Sequence, residues 1–273
     1  MTCKIGIYCV LGGLCGAIFG IGSGFPIIWL SGAVLTGAFA PVARWGPKHP
    51  LGQFAVIFPF AVVVGVVCTM TEAYLLMPQT RSIFTRQLVI GTATDAWLAA
   101  VLAMAAKYLR LAEDSQWRPR LRSVWVLAPM VLISGFLYLV YFTVFGGITF
   151  VLFTRKYYPN LPQPGAWFWG FEMARGVAMI LVALPIIRTL RLPRWQAGIA
   201  LGVLLWMVAG GAGLLLPNPY MVTSQRYIHI VEIMTQNVTL GVSVVPLLRR
   251  KDLIGIEEPA RANQNAVGQC QAI

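Results

Sequence analysis

Long apolar runs separated by short polar stretches set the pattern of this 273-residue chain. After a first run over 5–43, apolar segments recur at 52–77, 88–106, 124–153, 166–187, 195–216 and 227–248. A helix needs roughly 20 apolar residues to cross a bilayer, so each of the last six predicts one span. The first run is too long for one. As a single helix it would reach about 58 Å, against a hydrocarbon core of about 30 Å. Residues 20–26, GIGSGFP, offer a natural break. The expected division is therefore 5–21 and 25–43, which makes about eight spans. One tilted helix over 5–43, giving seven, is the alternative. The expected fold is all-α: a polytopic membrane helical bundle in a single domain, 1–251, with a disordered polar tail at 252–273. Gly146-Gly147 is expected to bend or end the fifth span.

The last span breaks the apolar pattern. His229, Glu232, Gln236, Thr239 and Ser243 follow one another at steps of three or four. At about 100° per residue they share one narrow face. Lipid does not accept such a stripe, so it must face protein or a water-filled cavity. A second pattern lies near the N-terminus, where Gly12, Gly16 and Gly20 repeat at GxxxG spacing. That seam lets another helix backbone come close.

Composition agrees with a membrane protein. Hydrophobic residues make up 58%, charged residues only 11%, and mean hydropathy is +0.73; soluble domains carry about 25% charge. The net charge of +12 does not point to nucleic acid, because the basic residues sit in short loops between spans. With eight spans, one side holds fourteen of them, from Lys4 and Arg44 to Arg249, Arg250 and Lys251. The other holds five: Arg81, Arg86, Arg155, Lys156 and Arg226. The richer side is cytoplasmic, which places both termini on the cytoplasmic side of a cell membrane and the basic loops against anionic lipid. Trp125, Trp167, Trp169 and Trp195 fall at span ends, as interfacial aromatics do. The five cysteines show no CxxC or Cys/His metal spacing and read as small apolar fillers.

Four of the nine acidic residues lie inside predicted spans: Glu72, Asp95, Glu172 and Glu232. Counted from the predicted outer span ends, all four fall about 9–10 Å deep. Arg175 is one turn below Glu172 and His229 one turn above Glu232. An isolated charge at such depth costs several kcal/mol, so pairing is expected. Arg175 has a planar fork that can hold Glu172 and Glu232 together, leaving Glu72 and Asp95 to snorkel outward. Alternatively, one of these carboxyls keeps a proton at neutral pH and carries it, or binds a cation. His229 with Glu232 is the pair expected to titrate, with Arg175 holding Glu172 ionised.

Other chemistry finds less support. There are two histidines, His49 and His229. Only His229 lies in a span, so bis-histidine haem within one chain has no second ligand there, and no metal or other cofactor is expected. A CAAX-type intramembrane protease would need paired glutamates and a second histidine in its spans, which this sequence lacks. Two function classes remain, with an intramembrane enzyme a distant third. One is a proton- or cation-coupled transporter of a small solute or ion, built on Glu72, Asp95, Glu172, Arg175, His229, Glu232 and Gln236. The other is a non-catalytic scaffold or complex subunit in which the same residues form an ion-pair clamp.

Overall fold

The computed structural model describes residues 2–18, 25–112, 120–158, 165–217 and 220–249, and these are almost wholly helical. The helices are α1 (Thr2–Ile18), α2 (Phe25–Trp45), α3 (Pro50–Leu76), α4 (Phe84–Tyr108), α5 (Val124–Tyr157), α6 (Ala166–Thr189), α7 (Arg194–Trp206) and α8 (Thr223–Leu248). Six of these, α2 to α6 and α8, are long and apolar enough to cross a membrane. Their outer surface suits lipid: Leu132, Phe136, Ile148, Val151 and Leu152 of α5 are all exposed. A soluble protein rarely leaves such a patch uncovered. Trp125 and Trp195 stand exposed beside helix starts.

Residues 5–43 form two helices packed along each other, not one tilted helix. Gly20 and most of the expected break lie outside the described residues, as does 250–273. In the α1–α2 contact, a Cβ added at Gly32 would lie 2.9 Å from the Gly12 carbonyl oxygen. Gly12 itself faces the Thr36 side chain. The seam expected at Gly12 is thus shared with Gly13 and Gly32. For Gly16, only its place in α1 is described.

A second glycine seam joins α7 to α8. A Cβ at Gly202 would sit 2.6 Å from the Val238 Cα, and one at Gly198 2.8 Å from the Val242 Cα. Gly241 answers them from α8. Gly198 and Gly202 stand at GxxxG spacing, the signal that could have revealed this crossing.

The helices are not regular throughout. α3 widens into a π-helical stretch at Val62–Cys68, and α5 does so at Phe142–Gly146 and Phe150–Thr154. Two of these stretches sit beside a threonine whose hydroxyl reaches back five residues: Thr69 to the Val64 carbonyl and Thr154 to the Thr149 carbonyl. A side chain inserted into the backbone ladder distorts it in this way. α5 therefore runs on through Gly146-Gly147 instead of ending there. α7 passes into another π-helical stretch at Met207–Gly211, broken by Gly210 at φ 153°. That conformation suits glycine alone. The segment expected as one span over 195–216 is thus interrupted.

Two arginines flanking or inside α8 close the ends of neighbouring elements. Arg249 is 1% exposed and donates to the carbonyls of Ile187, Leu190 and Leu192, at the C-terminal end of α6. Arg226, also buried, donates to the carbonyls of Leu214, Leu215 and Leu216 beyond α7. Helix C-termini leave carbonyls without intrahelical partners and carry partial negative charge, so a buried cation satisfies both needs. Both residues were read from sequence only as loop charges.

Candidate functional site

The ionisable residues separate into three groups. The first joins α3 to α6. Arg175 Nη1 lies 2.5 Å from Glu72 Oε2 and 3.3 Å from Glu172 Oε2. The Arg175 guanidinium also lies over the Tyr138 ring of α5, 5.6 Å from its centroid. The Glu172 side chain is 0% exposed, Arg175's 5% and Glu72's 25%, so Glu72 is the member nearest the open side. Gly176, next to Arg175, allows this approach: a Cβ there would meet Tyr138 at 2.6 Å. Arg175 therefore clamps Glu172 with Glu72, not with Glu232 as expected. The charged face of α6 is turned toward α3 and Tyr138, away from the stripe.

The second group is the upper stripe of α8, which faces α5. Glu232 Oε2 is 2.7 Å from His229 Nδ1, and Gln236 Nε2 donates to Glu232 Oε1 at 3.2 Å. On its other side, His229 Nε2 lies 3.0 Å from the Tyr158 hydroxyl. Tyr158 stands just past the end of α5, where burial pushes its phenol up to about 12. It stays a hydroxyl at neutral pH, and the two ring nitrogens of His229 link it to the Glu232 carboxyl group. Gly146 makes room for the stripe: a Cβ there would lie 3.1 Å from Glu232 Oε1 and 3.4 Å from Gln236 Nε2. Deeper along the same face, Ser243 donates to the Thr239 carbonyl and is 2.8 Å from the Tyr141 hydroxyl of α5. Tyr158 lies within the electrostatic reach of both Glu232 and Glu72, so the first two groups are neighbours.

Asp95 belongs to neither. It stands eleven residues into α4, about 16 Å along the axis from Phe84. It does not share the level of Glu72: Asp95 Oδ2 lies beside Gly65, seven residues and about 10 Å along α3 from Glu72. The expected common layer of four carboxylates thus becomes two neighbouring groups and one separate residue. Among the described residues, no three His, Cys, Asp or Glu side chains come together as a metal-binding set.

Tyr138, Tyr141, Tyr158 and Gly146 were missing from the sequence-derived site. Tyr158 is readable as a polar-tipped aromatic at a span end. Nothing in the sequence marks Tyr138, because its role depends on where α6 lies. No protein-family model, no curated protein and no solved structure matches the chain.

Proposed function

We propose that the chain is a proton- or cation-coupled membrane transporter of a small solute or ion. In this reading it makes eight crossings of a cell membrane and keeps both termini cytoplasmic, with its basic inner loops on anionic lipid. The observation that carries it is the hydrogen-bonded row Tyr158–His229–Glu232–Gln236 along the face between α8 and α5. A proton arriving at His229 Nε2 makes an imidazolium. The Nδ1 proton then passes to Glu232 Oε2, leaving a neutral imidazole and a protonated carboxyl. Hydroxyl, imidazole and carboxylate in contact are the parts that proton relays in membranes use. Tyr158 orients the ring, and Gln236 orients the carboxylate.

The test is proton flux into proteoliposomes, followed with an entrapped pH dye. Glu232→Gln keeps one oxygen acceptor of the same shape but cannot take up the proton, so the pH dependence of flux should flatten. A flux profile identical to the parent protein's would remove Glu232 from the mechanism.

The clamp offers a second reading, as a scaffold or complex subunit. It is favoured by one specific observation: Arg175 ties Glu172, wholly buried, to Glu72 on another helix. Absence of flux for every ion tested, together with loss of folding in Arg175→Leu, would favour it.

A further inference from the structure

Asp95 faces a cleft of about 210 Å³ between α2, α3, α4 and the broken end of α7. Its walls include Ser31, Gly65, Val208 and Gly213. Two backbone irregularities meet there, the π-helical stretch of α3 around Gly65 and the break of α7 at Gly210. Hydroxyls from neighbouring helices take two of the carbonyls near that break: Thr69 donates to Ala209 and Ser31 to Ala212. The Val208 carbonyl lies near Gly65, where a Cβ would come within 3.1 Å of its oxygen and 3.9 Å of Asp95 Oδ2. Glycine at 65 thus keeps open the space between a carbonyl oxygen and a carboxylate. Asp95 has no hydrogen-bond or ion-pair partner among the described residues, and no second charged side chain lines the cleft.

We propose that this cleft binds a monovalent cation of the sodium class, through Asp95, the Val208 carbonyl and the Ser31 hydroxyl. The donors named are oxygens, which suit a hard cation. With no cationic side chain on its walls, the cleft has nothing to hold an anion. A single carboxylate balances one positive charge, whereas divalent ions generally recruit more ligands of that kind. The volume is below that of ordinary organic-ligand pockets, about 300 Å³ upward. At roughly 30 Å³ per water, it holds an ion with several waters. Carbonyls at an interrupted helix near the bilayer midplane are where secondary transporters hold coupling ions. As a coupling-ion site this rests on the transporter reading; as a binding site it does not.

The experiment titrates sodium against choline at constant ionic strength and pH 8, with purified protein in detergent. It reads thermal stability and tryptophan fluorescence, Trp97 being two residues from Asp95. We expect a saturable sodium response, weakened on the order of ten-fold or more in Asp95→Asn. Gly65→Ala, which retains the carboxylate, should weaken it too, and Gly170→Ala, where an added Cβ meets nothing within 4 Å, should leave it unchanged. Equal behaviour in sodium and choline would overturn the site, as would a sodium response that survives Asp95→Asn in monodisperse protein. A response to acid alone, dependent on Asp95, would make it a proton site and overturn the cation. If binding holds but no sodium gradient drives flux in proteoliposomes, the site stands and the transporter reading fails.

Discussion

Arg175 of α6 and Glu72 of α3 are joined through Nη1 and Oε2 at 2.5 Å, more than a hundred residues apart in the chain. Glu172 approaches the same nitrogen, so two carboxylates share one guanidinium. Arg175→Leu would strand both. Breaking a buried pair by removing one partner costs about 3–5 kcal/mol. The triple change Glu72→Gln/Glu172→Gln/Arg175→Gln removes all three charges and should be milder. Melting temperature and monodisperse yield in detergent check this. Equal losses in the two variants would mean that the charges do not form a clamp.

The α7–α8 crossing depends on missing side chains. Gly202→Val puts branched carbon where the Val238 backbone already lies. Overpacking of this kind costs about 1–3 kcal/mol. Gly213→Ala, where a Cβ meets nothing within 4 Å, serves as the control. A Gly202→Val protein as heat-stable as the control would show that α7 and α8 separate easily.

Arg249 donates to the carbonyls of Ile187, Leu190 and Leu192 around the C-terminal end of α6. Each buried carbonyl left unsatisfied costs about 1–3 kcal/mol. Arg249→Ala should therefore raise hydrogen exchange in the last turn of α6. Arg249→Lys should rescue only in part, because an ammonium lacks the planar fork that reaches several carbonyls at once. Full rescue by lysine would reduce the role of Arg249 to charge alone.

Tyr158 makes a pH prediction. Its phenol titrates near 12 in the folded protein, above the ordinary value of 10.0. The folded state thus keeps this proton longer than the unfolded chain does. The stability it contributes is complete below pH 10 and is lost as pH rises toward 12. Alkaline unfolding should begin at higher pH in Tyr158→Phe than in the parent. In proteoliposomes the same variant, having lost the hydroxyl that contacts His229 Nε2, should shift the pH midpoint of flux. No change in either measurement would sever Tyr158 from His229.

Sequence alone determined the class of this protein. Apolar runs of bilayer length predicted an all-helical chain, and six helices long and apolar enough to cross a membrane are present. It also determined that one face of α8 is polar, since helical periodicity orients side chains about their own axis. It located Gly12 of α1, which meets Thr36 of α2. The partners were decided only by tertiary structure. Periodicity does not say which neighbour a face meets, so Glu72 rather than Glu232 joins Arg175, and α5 rather than α6 covers the stripe. Depth was also out of reach. Counting from a predicted span end put Asp95 level with Glu72, whereas it packs beside Gly65, about 10 Å along α3 from Glu72. There, Gly65 and the break at Gly210 give it surroundings that hydropathy does not encode.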